Sequence, residues 1–317
     1  MQNLTLVILQ KMLWVIKKIM MFHNPVLLFE SISGLNINPN GVYVDVTYGG
    51  GGHSSEILKN LNSNGKLIAF DQDQDAIENK SNDNRLNLVK SNFKYLNNFL
   101  NYYKIDQIDG LLADFGISSH QIDDNQRGFS TRFNCELDMR MNRSQKIDAK
   151  MIVNDYDKDQ LEYIFKNYGE LKNYKMVSDK IISARVKKSI ETTDDLKKIL
   201  APLVKLKNEN KFLAKVFQSI RIEVNDELDV IRTLLSQSSK YIKKGGRLVC
   251  ISYHSLEDRI VKKFIQNGGF NDEVSSDIFG NKNIIFKKVG KMITPSNQEI
   301  KINNRSRSAK LRIAEKI

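Results

Sequence analysis

Only two cysteines, Cys135 and Cys250, occur in the 317 residues. They lie far apart and fit neither a CxxC pair nor a zinc-ligand spacing, which leaves them as free thiols of a reducing compartment. No grouping of His, Cys and Asp has metal-ligand spacing, so no metal is expected. Long uncharged hydrophobic runs are also missing. The most apolar stretch, MQNLTLVILQKMLWVIKKIM, is interrupted by Lys11, Lys17 and Lys18. It falls short of the ~20 apolar residues that a membrane span needs. It has no basic leader and no small-residue cleavage site, which argues against a signal peptide. Residues 1–20 are read as an N-terminal extension that translation from Met20 or Met21 would omit; an interfacial amphipathic helix is the other reading. No GK[ST] follows the glycine cluster, which excludes a P-loop, and there is no internal repeat.

What remains is the composition of a soluble globular protein: 41% hydrophobic, 27% charged, mean hydropathy −0.41. The formal net charge is +12 and the pI is about 9.4. The excess is concentrated at the C-terminus, where Asn281–Ile317 carries ten Lys and Arg against Glu299 and Glu315. Such a run serves equally as a solvated face or as a polyanion-binding surface. Without residues 1–20 the net charge is still +9.

Short apolar runs alternate with helical patterns through the first third. Strands are expected at Val42–Val46, Leu67–Phe70, Leu86–Val89 and Gly110–Asp114, with helices at Ser54–Leu61, from Asp75 and at Phe93–Tyr103. That alternation predicts a parallel α/β sheet covered on both faces. From about Asn125 to Asn225 the pattern becomes helical: Leu161, Ile164, Phe165 and Tyr168 share one face, and Leu196, Ile199, Leu200, Leu203 and Val204 another. Thr192 and Asp195 form a capping box ahead of the second. The α/β rhythm then returns with a helix at Glu227–Tyr241, a turn at Gly245–Gly246, a strand at Arg247–Ser252 and a helix at Ser255–Gln266. Runs at Ile284–Val289 and Lys310–Ala314 suit an antiparallel pair at the sheet edge. The expected division is an extension at 1–20, a core at 21–124, a helical insertion at 125–225, and a second core part at 226–317 ending in a basic hairpin.

The segment VYVDVTYGGGGHSSEIL places Asp45 at a strand end before Gly49–Gly52 and a helix. Glycine permits a tight turn and a close backbone approach to a ligand. A dinucleotide loop would need a third glycine where Ser54 stands, which counts against a NAD-dependent oxidoreductase. A carboxylate before the glycines suits a cationic ligand instead, and S-adenosylmethionine carries an ammonium and a sulfonium. Asp71, closing the next strand, is placed to accept ribose hydroxyls. Asp45 and Gly49 then read as support for the loop.

Six segments carry a closer resemblance: HNPVLL; VYVDVTYGGGGHSSEIL; LLADFGISSHQIDDNQRGFS with LDMRM; FQSIRIEVNDEL; ISYHSLEDRIVKKF; and RSRSAKLRIAEK. In this order they resemble the bacterial 16S ribosomal RNA cytosine-N4 methyltransferases, from His23 to the end of the chain. The resemblance implies a class I methyltransferase, that is, a Rossmann-like, mostly parallel sheet with an inserted helical domain. It implies S-adenosylmethionine as cofactor, contacted by Gly51, Gly52, His53, Asp71, Phe93, Asp114 and Gln121. It also implies a cytoplasmic enzyme acting on small-subunit ribosomal RNA, without membrane or metal; monomer and homodimer both stay open. His120 and Asn304 stand where the family has prolines, which puts loop geometry in question.

A neutral exocyclic amine is a poor nucleophile, so its hydrogens should meet acceptors. Asp114 is the candidate catalytic residue, with Tyr253 and His254 at the next strand end. Ser255 and Asp258 have capping-box spacing. Tyr253 or Phe129 could stack on an extruded base. Arg305, Arg307, Lys310 and Arg312, together with the helical insertion, are the expected RNA contacts, and Lys187, Lys188 and Arg221 are weaker ones. Two other functions compete. A DNA amine methyltransferase should show a Pro-Pro-aromatic motif where DFGISS stands. A non-catalytic assembly factor would not need intact cofactor motifs.

Overall fold

The computed structural model describes residues 25–271 and 284–317. The 1–20 extension lies outside them, as do His23 and Asn24 of the HNPVLL segment. Among the described residues no helix is long and apolar enough to cross a membrane. The chain forms two compact units, one built from residues up to 71, 75–115 and 236–317, the other from 72–74 and 116–235.

The first unit holds one seven-stranded sheet: β1 (Val42–Asp45), β2 (Lys66–Asp71), β3 (Leu86–Lys90), β4 (Ile108–Asp114), β5 (Ile242–Ser252), β6 (Phe286–Lys288) and β7 (Lys310–Lys316). Their order is β3-β2-β1-β4-β5-β7-β6. The first five are parallel, and β7 runs antiparallel to both β5 and β6. This is the mostly parallel, Rossmann-like α/β sheet that the resemblance implied. Leu67–Phe70 of β2 and Leu111–Ala113 of β4 are completely buried, as expected of central strands covered on both faces. The strand order reverses between β1 and β4, the position where open α/β sheets leave a crevice outside the strand carboxyl ends.

Several boundaries differ from expectation. β5 already pairs at Ile242 with Ile108, then skips to Arg247 opposite Gly110. The intervening residues loop out, and Gly245 takes φ +79° there, a left-handed conformation that suits glycine. The helix expected over Phe93–Tyr103 opens as a 3-10 turn, Phe93–Tyr95, before the α-helix Leu96–Tyr102. The helix expected from Asp75 is a single turn, Gln74–Ile77. The edge strand β6 spans three residues, with Phe286 buried and Lys287 and Lys288 exposed.

The second unit is helical. Leu161, Ile164 and Phe165 are buried in its core with Val177, Ile181, Leu196, Leu200 and Val216. Thr192 and Asp195 form the expected capping box, but the helix stops at Leu200 and continues as a 3-10 turn, Ala201–Leu203. Pro202 explains the stop, since it removes a donor and crowds the preceding turn. This unit is wider than the 125–225 read from the sequence, taking in the short helix Ser119–Asp123 and the start of Glu227–Tyr241. At its heart lies a polar network with no counterpart in the sequence reading. Arg127, 1% exposed, pairs with Asp73 at 2.9 Å and donates to the carbonyls of Arg140 and Met141 at 2.9 and 3.1 Å.

Candidate active site

Four strand ends of the first unit converge on the crevice. β1 ends at Asp45, β2 at Asp71, β4 at Asp114, and Tyr253 follows β5. The register sets Asp45 beside Leu112 of β4, and Asp114 beside Ile251 of β5.

Asp45 is fully buried and its carboxylate turns into the loop. One oxygen accepts the Thr47 N–H at 3.0 Å, and the other accepts the Ser54 hydroxyl at 2.6 Å. It therefore ties the strand end to the helix Gly52–Lys59. Thr47 in turn accepts the Asp114 N–H at 2.8 Å, linking β1 to β4. Gly49 donates its N–H to Asp71 at 2.8 Å. Thr47 and Ser54 were missed from the sequence, although short hydroxyl side chains flanking a strand-end aspartate are a signal for such ties.

The glycines differ in what they allow. Gly49 has φ +51°, and a Cβ there would meet nothing nearer than 4.0 Å. Gly51 has φ +77°, and a Cβ would lie 2.8 Å from the Tyr48 hydroxyl. At Gly52 it would collide with the Pro25 ring at 2.2 Å. Gly51→Ala is accordingly expected to cost about 1–3 kcal/mol through backbone strain and the Tyr48 clash. Thermal unfolding measures this, and an unchanged midpoint would show that the loop relaxes.

Asp114 is the most perturbed carboxyl here. Burial pushes it up to about 6; His53 and a hydrogen bond from Tyr253 pull it down, and Asp45 and Glu257 raise it again. Its Oδ2 lies 3.9 Å from His53 Nδ1. Its Oδ1 is buried with no hydrogen-bond partner. Burial and the neighbouring Asp114 raise the Tyr253 phenol well above its ordinary value, which keeps it a donor. His53 is buried, with Nε2 3.2 Å from the Val26 carbonyl. Phe93 is half-buried, its ring 6.3 Å from that of Phe115.

Residues 20–317 match the MraW methylase family. The chain belongs to this family. The ribosomal RNA small subunit methyltransferase H of Flavobacterium johnsoniae is 53% identical over 298 residues, 94% of this chain and 99% of that protein. Its namesake in Flavobacterium psychrophilum is 56% identical over 290 residues, 92% and 100% of the two chains.

In this MraW-family methylase the other sequence candidates are placed as follows. His254, not Ser255, is the N-cap of the helix Ser255–Asn267, and Glu257 rather than Asp258 closes the capping box. Glu257 also accepts the Tyr253 N–H at 2.8 Å, so this motif orients the backbone beside Asp114. Asp258 is instead paired with Arg312 at 2.7 Å and Lys310 at 3.4 Å. Arg307 is exposed and Arg305 half-buried.

In the second unit, Gln121 is buried and its amide donates to Asp73 at 2.6 Å. Phe129 is 7% exposed and packs in the helical core under the Arg127 guanidinium, which does not suit it to stack on a base. Arg221 is held in a two-pronged pair with Glu227 at 2.8 and 2.9 Å, while Lys187 and Lys188 are exposed. Both oxygens of Glu227 are thereby engaged.

Proposed function

We propose that this methylase transfers a methyl group from S-adenosylmethionine to the exocyclic N4 amine of a cytosine in small-subunit ribosomal RNA. The observation carrying this reading is the buried, unpartnered Oδ1 of Asp114 in the crevice at the sheet's reversal point. An orphaned buried acceptor costs stability unless a ligand donor satisfies it. The donor set also fits the cofactor. The open Gly49 backbone, Asp71 and the half-buried Phe93 ring offer a close-approach loop, a carboxylate for ribose hydroxyls and an aromatic face, with Gly51, Gly52 and His53 as further candidate contacts. Asp45 and Asp114 favour a cation beside them.

Bound there, the cofactor would supply an electrophilic methyl group on a sulfonium. The residues of the chain supply the rest. Asp114 Oδ1 accepts an N4 hydrogen, which localises the amine lone pair and aims it. Once the new N–C bond makes N4 cationic, the same oxygen takes the departing proton. Tyr253 stands beside Asp114 as a phenol donor to its carboxyl, and its ring is the candidate to stack on the base. Because Asp114 must be ionised, single-turnover methylation should fall about tenfold for each unit of pH below about 6. A rate independent of pH from 5 to 7 would remove Asp114 from this role.

The helical unit, with Lys187 and Lys188, and the C-terminal Arg305, Arg307 and Lys310 are the surfaces proposed to meet RNA phosphates. The deciding experiment supplies labelled S-adenosylmethionine with small subunits lacking the modification, and naked RNA and duplex DNA in parallel. N4-methylcytidine from RNA supports the reading; label in DNA or in another nucleoside overturns it. Cofactor binding without any transfer would point to an assembly factor.

A further inference from the structure

Beyond the reaction centre, the first unit carries a second charged feature. A shallow groove runs between the C-terminal half of the helix Ser255–Asn267 and the β6–β7 hairpin. Its rim carries Lys262, Lys288 and Lys291, all exposed, and its floor is apolar, formed by Ile265, Val289 and Ile313. The fourth cation, Arg312, is neutralised by Asp258, to which its Nε and Nη2 donate at 2.7 and 3.1 Å. Among the described residues no carboxylate lines the groove, and none of the three lysines has an ion-pair partner. Three like charges converging without compensation repel one another, which a polyanion would relieve. The enclosed volume is about 20 Å³, far below that of a small-molecule pocket, so the ligand must lie across the groove rather than inside it.

The position relative to Asp114 gives this charge a use. The same helix starts beside Tyr253 and Asp114, where His254 caps it. At a 1.5 Å rise per residue, Lys262 stands about 10 Å and Gln266 about 16 Å along the axis from Ser255. One rigid helix thus carries the reaction centre at one end and a cationic rim at the other.

We propose that Lys262, Lys288 and Lys291 form a phosphate-binding groove that grips the ribosomal RNA strand flanking the target cytosine. The proposal rests on the RNA-methylation reading above. The groove holds backbone phosphates and reads no base, so it contributes affinity and register without contributing to the chemical step.

The test is the triple variant K262Q/K288Q/K291Q, made at exposed positions where the fold should tolerate it. A charge-matched control, K59Q/K66Q/K104Q, removes three exposed lysines near the opposite ends of the strands. Binding to small subunits is measured at several salt concentrations, with steady-state methylation and S-adenosylmethionine affinity alongside. Losing three single-strand phosphate contacts should lower the slope of log K against log salt by about 2. Between 50 and 200 mM salt, the variant should then lose about 20-fold less affinity than the parent. KM for the subunit should rise about tenfold or more, with kcat and cofactor affinity unchanged, and the control should resemble the parent. An unaltered slope, or equal losses in both triples, overturns the groove while leaving the methylation reading intact. A parent protein that methylates no RNA overturns that reading and the groove with it.

Discussion

Asp114→Asn is expected to lower kcat by at least a hundredfold while raising the stability of the folded protein at pH 7. The loss of rate follows from removing the acceptor that takes the N4 proton, a contribution typically worth about 10²–10⁴. The gain in stability follows from the sign of the shift. The folded carboxyl titrates near 6 against an ordinary 3.8, because burial penalises its charged form. Its contribution to stability is therefore fully present below about pH 4 and is lost as the pH rises through 6. At pH 7 the buried charge costs at most about 3 kcal/mol, which a neutral amide would not incur. Thermal unfolding of both proteins from pH 4 to 8 should show a midpoint gain that shrinks towards acid and vanishes near pH 4. Full turnover with unchanged cofactor affinity would rule out the assignment, and a lower midpoint at pH 7 would mean that the carboxylate stabilises the crevice.

Arg127→Met should have the largest effect on stability, about 3–5 kcal/mol in the helical unit. Arg127 is 1% exposed and Asp73 is 6% exposed, so truncation removes the cation paired with a carboxylate in a place water barely reaches. Two backbone carbonyls, those of Arg140 and Met141, lose their donor at the same time. Asp73 still accepts the Gln121 amide at 2.6 Å, a neutral donor in place of a cation. The double variant Arg127→Met with Asp73→Leu removes both charges and should recover a substantial part of the loss, because the desolvation cost disappears with the pair. Denaturant unfolding of parent, single and double variants measures this. A double variant as unstable as the single would show that the carbonyl contacts, not the ion pair, hold this network.

The sheet was legible because central parallel strands are nearly unbroken apolar runs, and β2 and β4 stand out as such against polar helices and turns. The glycine loop and the acidic strand ends were legible for a related reason: they occur at the carboxyl ends, where the chain must turn and ligands collect. What was hidden depends on partners remote in sequence. Nothing near Asp258 indicates that Arg312 will claim it in place of a helix cap. Nothing in GFSTRF marks Phe129 as a core residue of the helical unit rather than an accessible ring. The inward turn of Asp45 depends on Ser54, nine residues on and across the glycine loop, whose hydroxyl could equally have faced solvent. The Asp73–Arg127–Gln121 network joins residues separated in the chain by both β3 and β4 and the helices between them, and no local pattern announces it.

β4 and β5 are hydrogen-bonded neighbours, yet the chain between them builds nearly all of the helical unit. As the polypeptide leaves the ribosome, β4 is made early and its partner strand much later. Until then one side of β4, a row of Leu111, Leu112 and Ala113, is an unpaired edge of the kind that templates aggregation. Helical segments rich in local contacts fold fast, so the intervening unit can be complete before β5 is synthesised. Its folding shortens the effective loop that β5 must close. Fragments ending before Ile242 should therefore be far less soluble than the whole chain, even where their helices are fully formed.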